Sequence, residues 1–178
     1  MVMKNIKMDE LETLIKHANI EASESTCKKL QVGAVLVRDG RIICTGRNGV
    51  PSKERHCCSI DWQDGRGNFG GPGDLFVVED GKVITHHEWS KQHEAHAEMN
   101  CICRAARYGI ATDGAALVVT TEPCLTCAIQ IIACGIIEVV YKSHYNMTPG
   151  EGTLKLKNNN VHVVCAGDIY GEGNPILS

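Results

Sequence analysis

Two short clusters of residues in this chain could together bind a metal ion and move a proton. The first is His96-Ala97-Glu98 and the second is Pro123-Cys124-Leu125-Thr126-Cys127. One imidazole and two thiolates give zinc three protein ligands and leave a fourth position for water, whereas a purely structural site closes that position with another side chain. Zinc lowers the pKa of a bound water towards neutrality. Glu98 is not an expected ligand and is therefore the candidate for proton transfer.

The order of the two clusters, H-x-E and then P-C-x-x-C, is the signature of zinc-dependent nucleobase deaminases. A lone C-x-x-C is also typical of a thioredoxin-like redox pair or of half a zinc ribbon, but each of these would account for only the second cluster. The chain has no second C-x-x-C for a ribbon, and a redox pair needs neither His96 nor Glu98. A zinc-stabilised binding module without catalysis is the remaining alternative, and it leaves Glu98 without a role.

The composition is that of an ordinary globular protein. A chain of 178 residues with 43% hydrophobic and 22% charged residues suits one domain, expected over residues 1–178. The net charge of −3 argues against a dedicated nucleic-acid binder, which usually has a basic face. The sequence has no run of about 18 apolar residues that would span a membrane and no apolar signal core in residues 1–9. We expect a cytoplasmic protein (host cytoplasm if phage-encoded) without nucleic-acid or membrane partners.

The ten cysteines are, in a reducing compartment, more typical of metal ligands or small buried side chains than of disulfides. Five lie in apolar runs and are predicted to belong to the core: Cys44, Cys101, Cys103, Cys134 and Cys165. The other five lie at predicted loops or helix ends: Cys27, Cys57, Cys58, Cys124 and Cys127.

Hydrophobic periodicity predicts the elements that must position these residues. Helices are expected over residues 9–24, 94–108 and 123–134, and residues 150–160 are compatible with a short helix. Strands are expected over residues 31–37, 41–46, 115–121, 136–141 and 161–164. Asp9 is the expected N-cap of the first helix, and the tail after Gly167 is expected to be loosely held. Helices that alternate with strands predict a three-layer α/β/α fold, in which two helix N-termini converge on the metal.

Residues 47–94 interrupt this pattern as a long insertion. The segment is rich in polar residues and in glycine, with Gly65, Gly67, Gly70, Gly71 and Gly73 close together. A loop of this length in a compact domain is usually functional. Residues 76–79 and 82–85 flank Asp80-Gly81, which predicts a small hairpin. The rest of the insertion contains few apolar side chains, so something other than hydrophobic burial must hold it.

Five segments resemble the deoxycytidylate (dCMP) deaminases, especially the phage-type enzymes, within the zinc-dependent cytidine deaminase-like superfamily. They are Val32-Gly33-Ala34-Val35, Arg41-Ile42-Ile43, Gly46-Arg47-Asn48-Gly49-Val50-Pro51, His96-Ala97-Glu98-Met99-Asn100 and Pro123-Cys124-Leu125-Thr126-Cys127. The resemblance implies a cytidine deaminase-like fold with a central mixed five-stranded sheet and a long Cys/Gly-rich insertion. It implies hydrolytic deamination of dCMP to dUMP and ammonia, which feeds dTMP synthesis. Many members have a tyrosine where this chain has Arg47.

The resemblance also implies roles for single residues. The implied ligands of the catalytic zinc are His96, Cys124 and Cys127. Glu98 would take a proton from zinc-bound water, deliver it to N3 of cytosine and later protonate the leaving ammonia. Asn48 and Tyr145 would bind the substrate, although Asn48-Gly49 also fits simple turn chemistry and Tyr145 also fits an ordinary surface residue.

A second, structural zinc in the insertion is implied by the same resemblance. The matching positions are Cys27, Cys57, His86 and Glu94, and two sulfurs, one nitrogen and one carboxylate close a tetrahedral site. A metal ion can replace hydrophobic burial where a segment has little of it. The alternative ligands are Cys58, His56, His87 and His93.

Assembly and regulation are implied only by the resemblance: a homo-oligomer, commonly a hexamer, activated by dCTP with Mg²⁺ and inhibited by dTTP. Arg104 and Arg107 lie three residues apart on one predicted helix face. They could contact a phosphate or a second subunit, or simply form a solvated basic face.

The sequence leaves other deaminase substrates open as alternatives: free cytidine, a modified dCMP, a pterin-like base and tRNA adenosine. The excess of 21 acidic over 18 basic residues disfavours tRNA.

Overall fold

The structure, a computed structural model, describes residues 6–65, 74–145 and 149–171. Its helices are α1 (Met8–Ser23), α2 (His86–His93), α3 (Ala97–Arg107), α4 (Leu125–Ala133), α5 (Glu151–Asn158) and α6 (Ala166–Tyr170). Its strands are β1 (Gly33–Arg38), β2 (Arg41–Arg47), β3 (Gln63–Asp64), β4 (Leu75–Glu79), β5 (Lys82–Thr85), β6 (Ala116–Thr121), β7 (Glu138–Ser143) and β8 (His162–Cys165). A 3₁₀ turn spans Cys57–Ser59.

The central sheet has five strands in the order β2-β1-β6-β7-β8. Strand β1 pairs antiparallel with both β2 and β6, whereas β6, β7 and β8 run parallel. The β1–β2 turn places Asp39 and Gly40 at φ +50° and +70°, as the two-residue Asp-Gly turn requires. The predicted mixed five-stranded sheet is confirmed.

The inner strands β1, β6 and β7 bury both of their faces, which explains their nearly continuous apolar runs in the sequence. On one face, Val35, Val118 and Val140 pack with α1 and α6. On the other face, Leu36 and Leu117 pack with α3, α4 and α5. The predicted three-layer α/β/α arrangement is therefore present. None of the helices in the described ranges is long and apolar enough to cross a membrane.

Two glycines let helices approach the backbone beside the metal-binding clusters. A Cβ added at Gly46 in β2 would lie 2.4 Å from the amide nitrogen of Cys101 in α3. A Cβ at Gly152 in α5 would lie 1.9 Å from the carbonyl oxygen of Pro123. Both contacts involve backbone atoms, so these helices are positioned by direct main-chain proximity.

The insertion forms a small antiparallel sheet, β3-β4-β5, followed by α2. The predicted hairpin is present, with Asp80 and Gly81 at φ +50° and +73° in its turn. Buried side chains of the insertion form a separate small core with Cys27: Cys57, Ile60, Val77 and Trp89. Gly67, Gly70, Gly71 and Gly73 lie outside the described residues.

The chain leaves the main body and returns to it at neighbouring points. The amide of Gly49 donates to the carbonyl of Ala95 over 3.1 Å, and the amide of Ala95 donates to the carbonyl of Gly49 over 3.0 Å. The side-chain amide of Asn100 also donates to the carbonyl of Arg47 over 2.8 Å. The first turn of α3 is thus tied to the end of β2.

Three helix predictions were wrong in detail. Lys7, not Asp9, is the N-cap of α1, and it makes no side-chain capping hydrogen bond; Asp9 lies in the first turn. The helix expected from residue 94 begins at Ala97, because Glu94 and Ala95 are held extended beside Gly49. Helix α6 was not predicted, and it orders residues 168–170 of the expected loose tail.

The core prediction was also wrong for one of its five cysteines, Cys103, whereas Cys134 is partly buried and packs against the main core. Cys103 is exposed and Cys134 is half-buried, whereas Cys44, Cys101 and Cys165 are buried. Cys101 faces the sheet from α3, and a residue two positions further along a helix points to the opposite side. An apolar sequence run therefore did not distinguish the two faces of this helix.

Candidate active site and metal centres

The first metal-binding cluster is built on the N-termini of two helices. His96 is the N-cap residue of α3, Cys124 is the N-cap residue of α4, and Cys127 lies in the first turn of α4. Nδ1 of His96 lies 3.5 Å from Sγ of Cys124 and 3.3 Å from Sγ of Cys127. Nitrogen and sulfur ligands at normal zinc bond lengths are about 3.5 Å apart in a tetrahedral site. The three donor atoms therefore fit a zinc ion.

The protonation of this cluster supports the same assignment. The thiol of Cys127 donates to the Cys124 thiolate, which lowers the pKa of Cys124 to about 4 and raises the pKa of Cys127. Hydrogen bonding to Cys124 raises the pKa of His96 to about 8. A thiolate, a thiol and an imidazolium share two protons in a space that suits one cation. Metal binding releases such protons, since zinc ligands must be deprotonated.

Glu98 lies in the first turn of α3, and only 4% of it is exposed. Burial raises the pKa of its carboxyl group, whose side chain also hydrogen-bonds with Cys127. A carboxyl group with a raised pKa holds a proton more readily than usual, so Glu98 suits a role in which it accepts a proton and then returns it to the substrate. The structure thus brings Glu98 to the ligands as the H-x-E spacing predicted.

A pocket of about 510 Å³ opens beside the cluster. Two of the metal-binding residues, His96 and Cys124, line it together with Glu98 and Tyr145. Side chains from five separate segments also line it: Lys29, Asn48, Asp74, His87, Thr121 and Glu122. A cavity of this size suits a nucleotide-sized ligand.

Glu122 positions Tyr145 and was not predicted from the sequence. Its side chain is only 2% exposed. One carboxylate oxygen accepts from the amide of Tyr145 over 3.2 Å, and the other accepts from the amide of Gly150 and the hydroxyl of Thr153, each over 3.0 Å. Burial raises the pKa of Tyr145. The one sequence signal was an acidic residue directly before Pro123, a place where a charge has no obvious role.

Asn48 is buried in the pocket wall, and its side chain already has protein partners. Its carbonyl oxygen accepts from the hydroxyl of Ser25 over 2.7 Å and from the amide of Val32 over 2.8 Å. Its amide nitrogen donates to the carbonyl of Leu30 over 2.8 Å. Asn48 therefore organises the 25–32 segment, and its predicted contact with substrate stays a prediction.

A second cluster in the insertion brings Cys27, Cys57 and His86 together, all of them buried. Nε2 of His86 lies 3.5 Å from Sγ of Cys27 and 3.3 Å from Sγ of Cys57. These separations match those at the first cluster and the tetrahedral zinc value of about 3.5 Å. The hydrogen bond between the two thiols lowers the pKa of Cys57 to about 7 and raises the pKa of Cys27.

Glu94 interacts with Cys27 and His86 of this second cluster. Burial, and then the charge of Cys27, raises the pKa of Glu94 to about 7. Its Oε1 atom is buried and has no hydrogen-bond partner among the described residues. A buried carboxylate oxygen without a partner is costly, and a cation bound beside Cys27 and His86 would satisfy it. Three of the four predicted residues, Cys27, Cys57 and His86, thus lie within 4.8 Å of one another, and the role of Glu94 as the fourth ligand stays a prediction.

The four alternative ligands of the second cluster are either exposed or lie against other side chains. Cys58 and His87 are exposed, although each directly follows a residue of the cluster. Nδ1 of His56 lies 3.2 Å from the Thr26 hydroxyl, and Nδ1 of His93 lies 3.4 Å from the Glu54 carboxylate.

The two arginines of α3 are exposed and do not line the pocket. Arg104 donates to the hydroxyl of Thr45 over 3.1 Å. No contact within the described chain distinguishes Arg107, so the predicted phosphate or subunit contacts of this pair stay predictions.

Comparison with known proteins agrees with this site. The family described as cytidine and deoxycytidylate deaminase zinc-binding region matches residues 8–143, and the chain belongs to this family of zinc-dependent deaminases. Deoxycytidylate deaminase of Enterobacteria phage T4 is 36% identical over 169 residues, which covers 85% of this chain and 86% of the relative. The predicted family is thereby confirmed.

Solved structures agree with the fold. The crystal structure of dCMP deaminase from the cyanophage S-TIM5 in complex with dCMP and dUMP is 28% identical, with a TM-score of 0.67 over 89% of this chain and 97% of that chain. Its apo form is 25% identical, with a TM-score of 0.65 over 90% and 99% of the respective chains. The predicted cytidine deaminase-like fold is confirmed.

Proposed function

We propose that this protein catalyses the hydrolytic deamination of dCMP to dUMP and ammonia. The observation that carries the proposal is the geometry of the first cluster beside the pocket. Three zinc-binding atoms lie at tetrahedral separations there, and the buried carboxyl group of Glu98 lies beside them. The phage relatives named as dCMP deaminases match this chain over most of its length, which supports dCMP as the substrate.

Zinc held by His96, Cys124 and Cys127 would supply a hydroxide at neutral pH by lowering the pKa of a water. Glu98 accepts the proton that this water loses and donates it to N3 of the cytosine ring. After water oxygen has added to C4, Glu98 takes the second proton of that oxygen and transfers it to the departing amino group. The C4–N bond breaks and ammonia leaves, so one water is consumed for each dUMP formed.

Lys29 is the candidate partner for the 5′-phosphate of the substrate. It lines the pocket, and its ammonium group lies 2.5 Å from the carboxylate of Asp74. Both side chains are 41% exposed, so a phosphate dianion can compete with Asp74 for the ammonium group. A contact of this kind distinguishes a nucleotide from a free nucleoside.

The second cluster is proposed to hold a structural zinc through Cys27, Cys57, His86 and Glu94. The separations of its nitrogen and sulfur atoms and the unpaired carboxylate oxygen of Glu94 support this proposal. We also propose a single domain and a cytoplasmic location, and a homo-oligomer, expected to be a hexamer. The family resemblance also supports regulation of the enzyme, namely activation by dCTP with Mg²⁺ and inhibition by dTTP. Arg104 or Arg107 is proposed to contact an effector phosphate or a second subunit.

The test is ammonia release from dCMP by zinc-replete protein, with cytidine and CMP as comparison substrates and with dCTP plus Mg²⁺ in a parallel series. Glu98→Gln should lower turnover by about 10²–10⁴-fold, since general acid–base catalysis contributes that much. Its zinc content should not change, because Glu98 is not a ligand.

Glu151→Gln, an exposed change in α5, is the matched control and should keep full turnover. Full turnover in Glu98→Gln would refute the mechanism. Zinc-loaded protein that does not deaminate dCMP, with or without dCTP, would move the substrate to another base.

A further inference from the structure

A third group of metal-binding side chains lies apart from both clusters. His144, Cys165 and Asp168 bring one nitrogen, one sulfur and one carboxylate oxygen within 4.8 Å of one another. His144 directly follows β7, Cys165 ends β8 and Asp168 lies in α6. The strands are parallel neighbours, and Tyr141 pairs with Cys165, so their carboxyl ends meet. We propose that this group is a third site, for a zinc-class divalent ion.

The separation of the donor atoms suits such an ion. Nε2 of His144 lies 3.8 Å from Sγ of Cys165, close to the value of about 3.5 Å for two ligands of tetrahedral zinc. The His144 side chain is 57% exposed, so a small rotation can close the difference. A thiolate, an imidazole and a carboxylate are the donor types that zinc accepts, and hard cations such as Mg²⁺ avoid the first of them.

A second and independent observation concerns the other nitrogen of the His144 ring. Nδ1 lies 3.4 Å from a carboxylate oxygen of Glu122, whose side chain is almost fully buried. Metal-binding histidines usually donate their second ring N–H to a carboxylate, which fixes the tautomer and the ring orientation. A proton on Nδ1 leaves the lone pair of Nε2 directed towards Cys165. The ring of Tyr141 packs edge-on against the same imidazole, with centroids 5.4 Å apart.

Two acidic side chains near this place, Glu122 and Asp168, act on the hydroxyl group of Tyr141 and would also attract a cation. Burial raises the pKa of Tyr141 most, and the negative charges of Cys165, Glu122 and Asp168 raise it further. Cys165 would lose its proton to solvent when it binds the ion, as thiol ligands do. Three protein ligands leave one coordination position for water.

The exposure of the ligands predicts how this third site differs from the other two. Two of its three ligands, His144 and Asp168, are exposed, whereas only His96 is exposed in the first cluster and all three residues of the second cluster are buried. We expect weaker binding and faster exchange of the ion at the third site. Its ion would connect α6 to His144, which is next to Tyr145 in the pocket wall. The assignment of this third site does not depend on the proposed reaction.

The experiment counts zinc in the full chain at equilibrium with a buffered free-zinc solution. Wild-type protein should hold about three zinc ions per chain, one for each cluster. His144→Gln and Asp168→Asn should each hold about two, because loss of a direct ligand should weaken binding by more than the roughly 10–100-fold that loss of an outer-shell partner costs. Both substitutions are on the surface, so they leave the fold intact.

His17→Gln and Asp61→Asn, two exposed changes of the same types, are the matched controls and should keep about three ions. A chelator should remove the third ion first from wild-type protein, and this fast phase should be missing in His144→Gln. A wild-type content of about two ions, or a third ion that both substitutions leave in place, would overturn the proposal. These readouts need no turnover, so their failure is distinct from a failure of the proposed deaminase activity.

Discussion

The contact between α5 and the Pro123–Cys124 backbone predicts an unusual result for Gly152→Ala. In an exposed helix, replacing glycine by alanine stabilises by about 1 kcal/mol. Here the new methyl group would lie 1.9 Å from the carbonyl oxygen of Pro123 and 3.0 Å from the carbonyl carbon of Cys124. The substitution should therefore destabilise the protein, against the preference of the helix itself.

The size of the effect follows from the distances. An ordinary carbon–oxygen contact is about 3.3 Å, so α5 must move by about 1.4 Å away from the 1.9 Å position. The partner atoms are backbone, so no side chain can rotate to relieve the contact. Overpacking costs about 1–3 kcal/mol, and a contact that forces backbone atoms apart belongs in the upper part of that range, at about 2–3 kcal/mol. With the helix preference subtracted, a net loss of about 1–2 kcal/mol lowers the melting temperature of a domain this size by about 2–8 °C.

Thermal unfolding of zinc-saturated protein measures this loss, and zinc release to a chelator measures its effect on the site. Zinc release should be faster in Gly152→Ala, because the backbone of the zinc ligand Cys124 loses the support of α5 when this helix moves away. Lys155→Ala is the control in the same helix: its side chain is exposed, so its stability should stay within about 0.5 kcal/mol of wild type. If Gly152→Ala melted at or above the temperature of Lys155→Ala, helix α5 would not be packed on this backbone as described.

Two further predictions concern the second cluster and the substrate phosphate. Cys57→Ser should lose about one zinc ion per chain relative to Cys58→Ser, the control at the exposed neighbouring residue. It should also change tryptophan fluorescence, since both tryptophans of the chain, Trp62 and Trp89, lie in the small core around Cys57. Equal zinc contents in the two variants would exclude Cys57 as a ligand. Lys29→Gln should raise KM for dCMP by about tenfold, as expected for loss of a partly exposed charge-assisted hydrogen bond. Any deamination of cytidine, which has no phosphate, should stay unchanged. An equal effect on both substrates would show that Lys29 does not bind the phosphate.

The sequence predicted best what depends on local chemistry. The Asp-Gly turns at residues 39–40 and 80–81 and the apolar strands were predictable because a few neighbouring residues determine them. Helix α2 was missed because, of its eight residues, only His86 and Trp89 are buried, too few for a helical period. It starts instead at a capping box between Thr85 and Glu88.

The parts of the site that the sequence left open depend on side-chain direction and on distant contacts. Cys57 and Cys58 are adjacent in sequence, and only the 3₁₀ turn at Cys57–Ser59 decides which of them points towards His86. Glu122 was missed because its partners, at Tyr145, Gly150 and Thr153, come together only when α5 packs beside the pocket. Local patterns carry no information about such pairings.

The paired amides of Gly49 and Ala95 have an evolutionary consequence. Because the two ends of the insertion are hydrogen-bonded to each other, the intervening segment can grow, shrink or be exchanged in descent without moving β2 or α3. Cys57 and His86 would be replaced together with such a segment, whereas the catalytic residues would be inherited unchanged. The insertion is therefore a place where related chains can diverge in size and in metal content while they keep one common reaction centre.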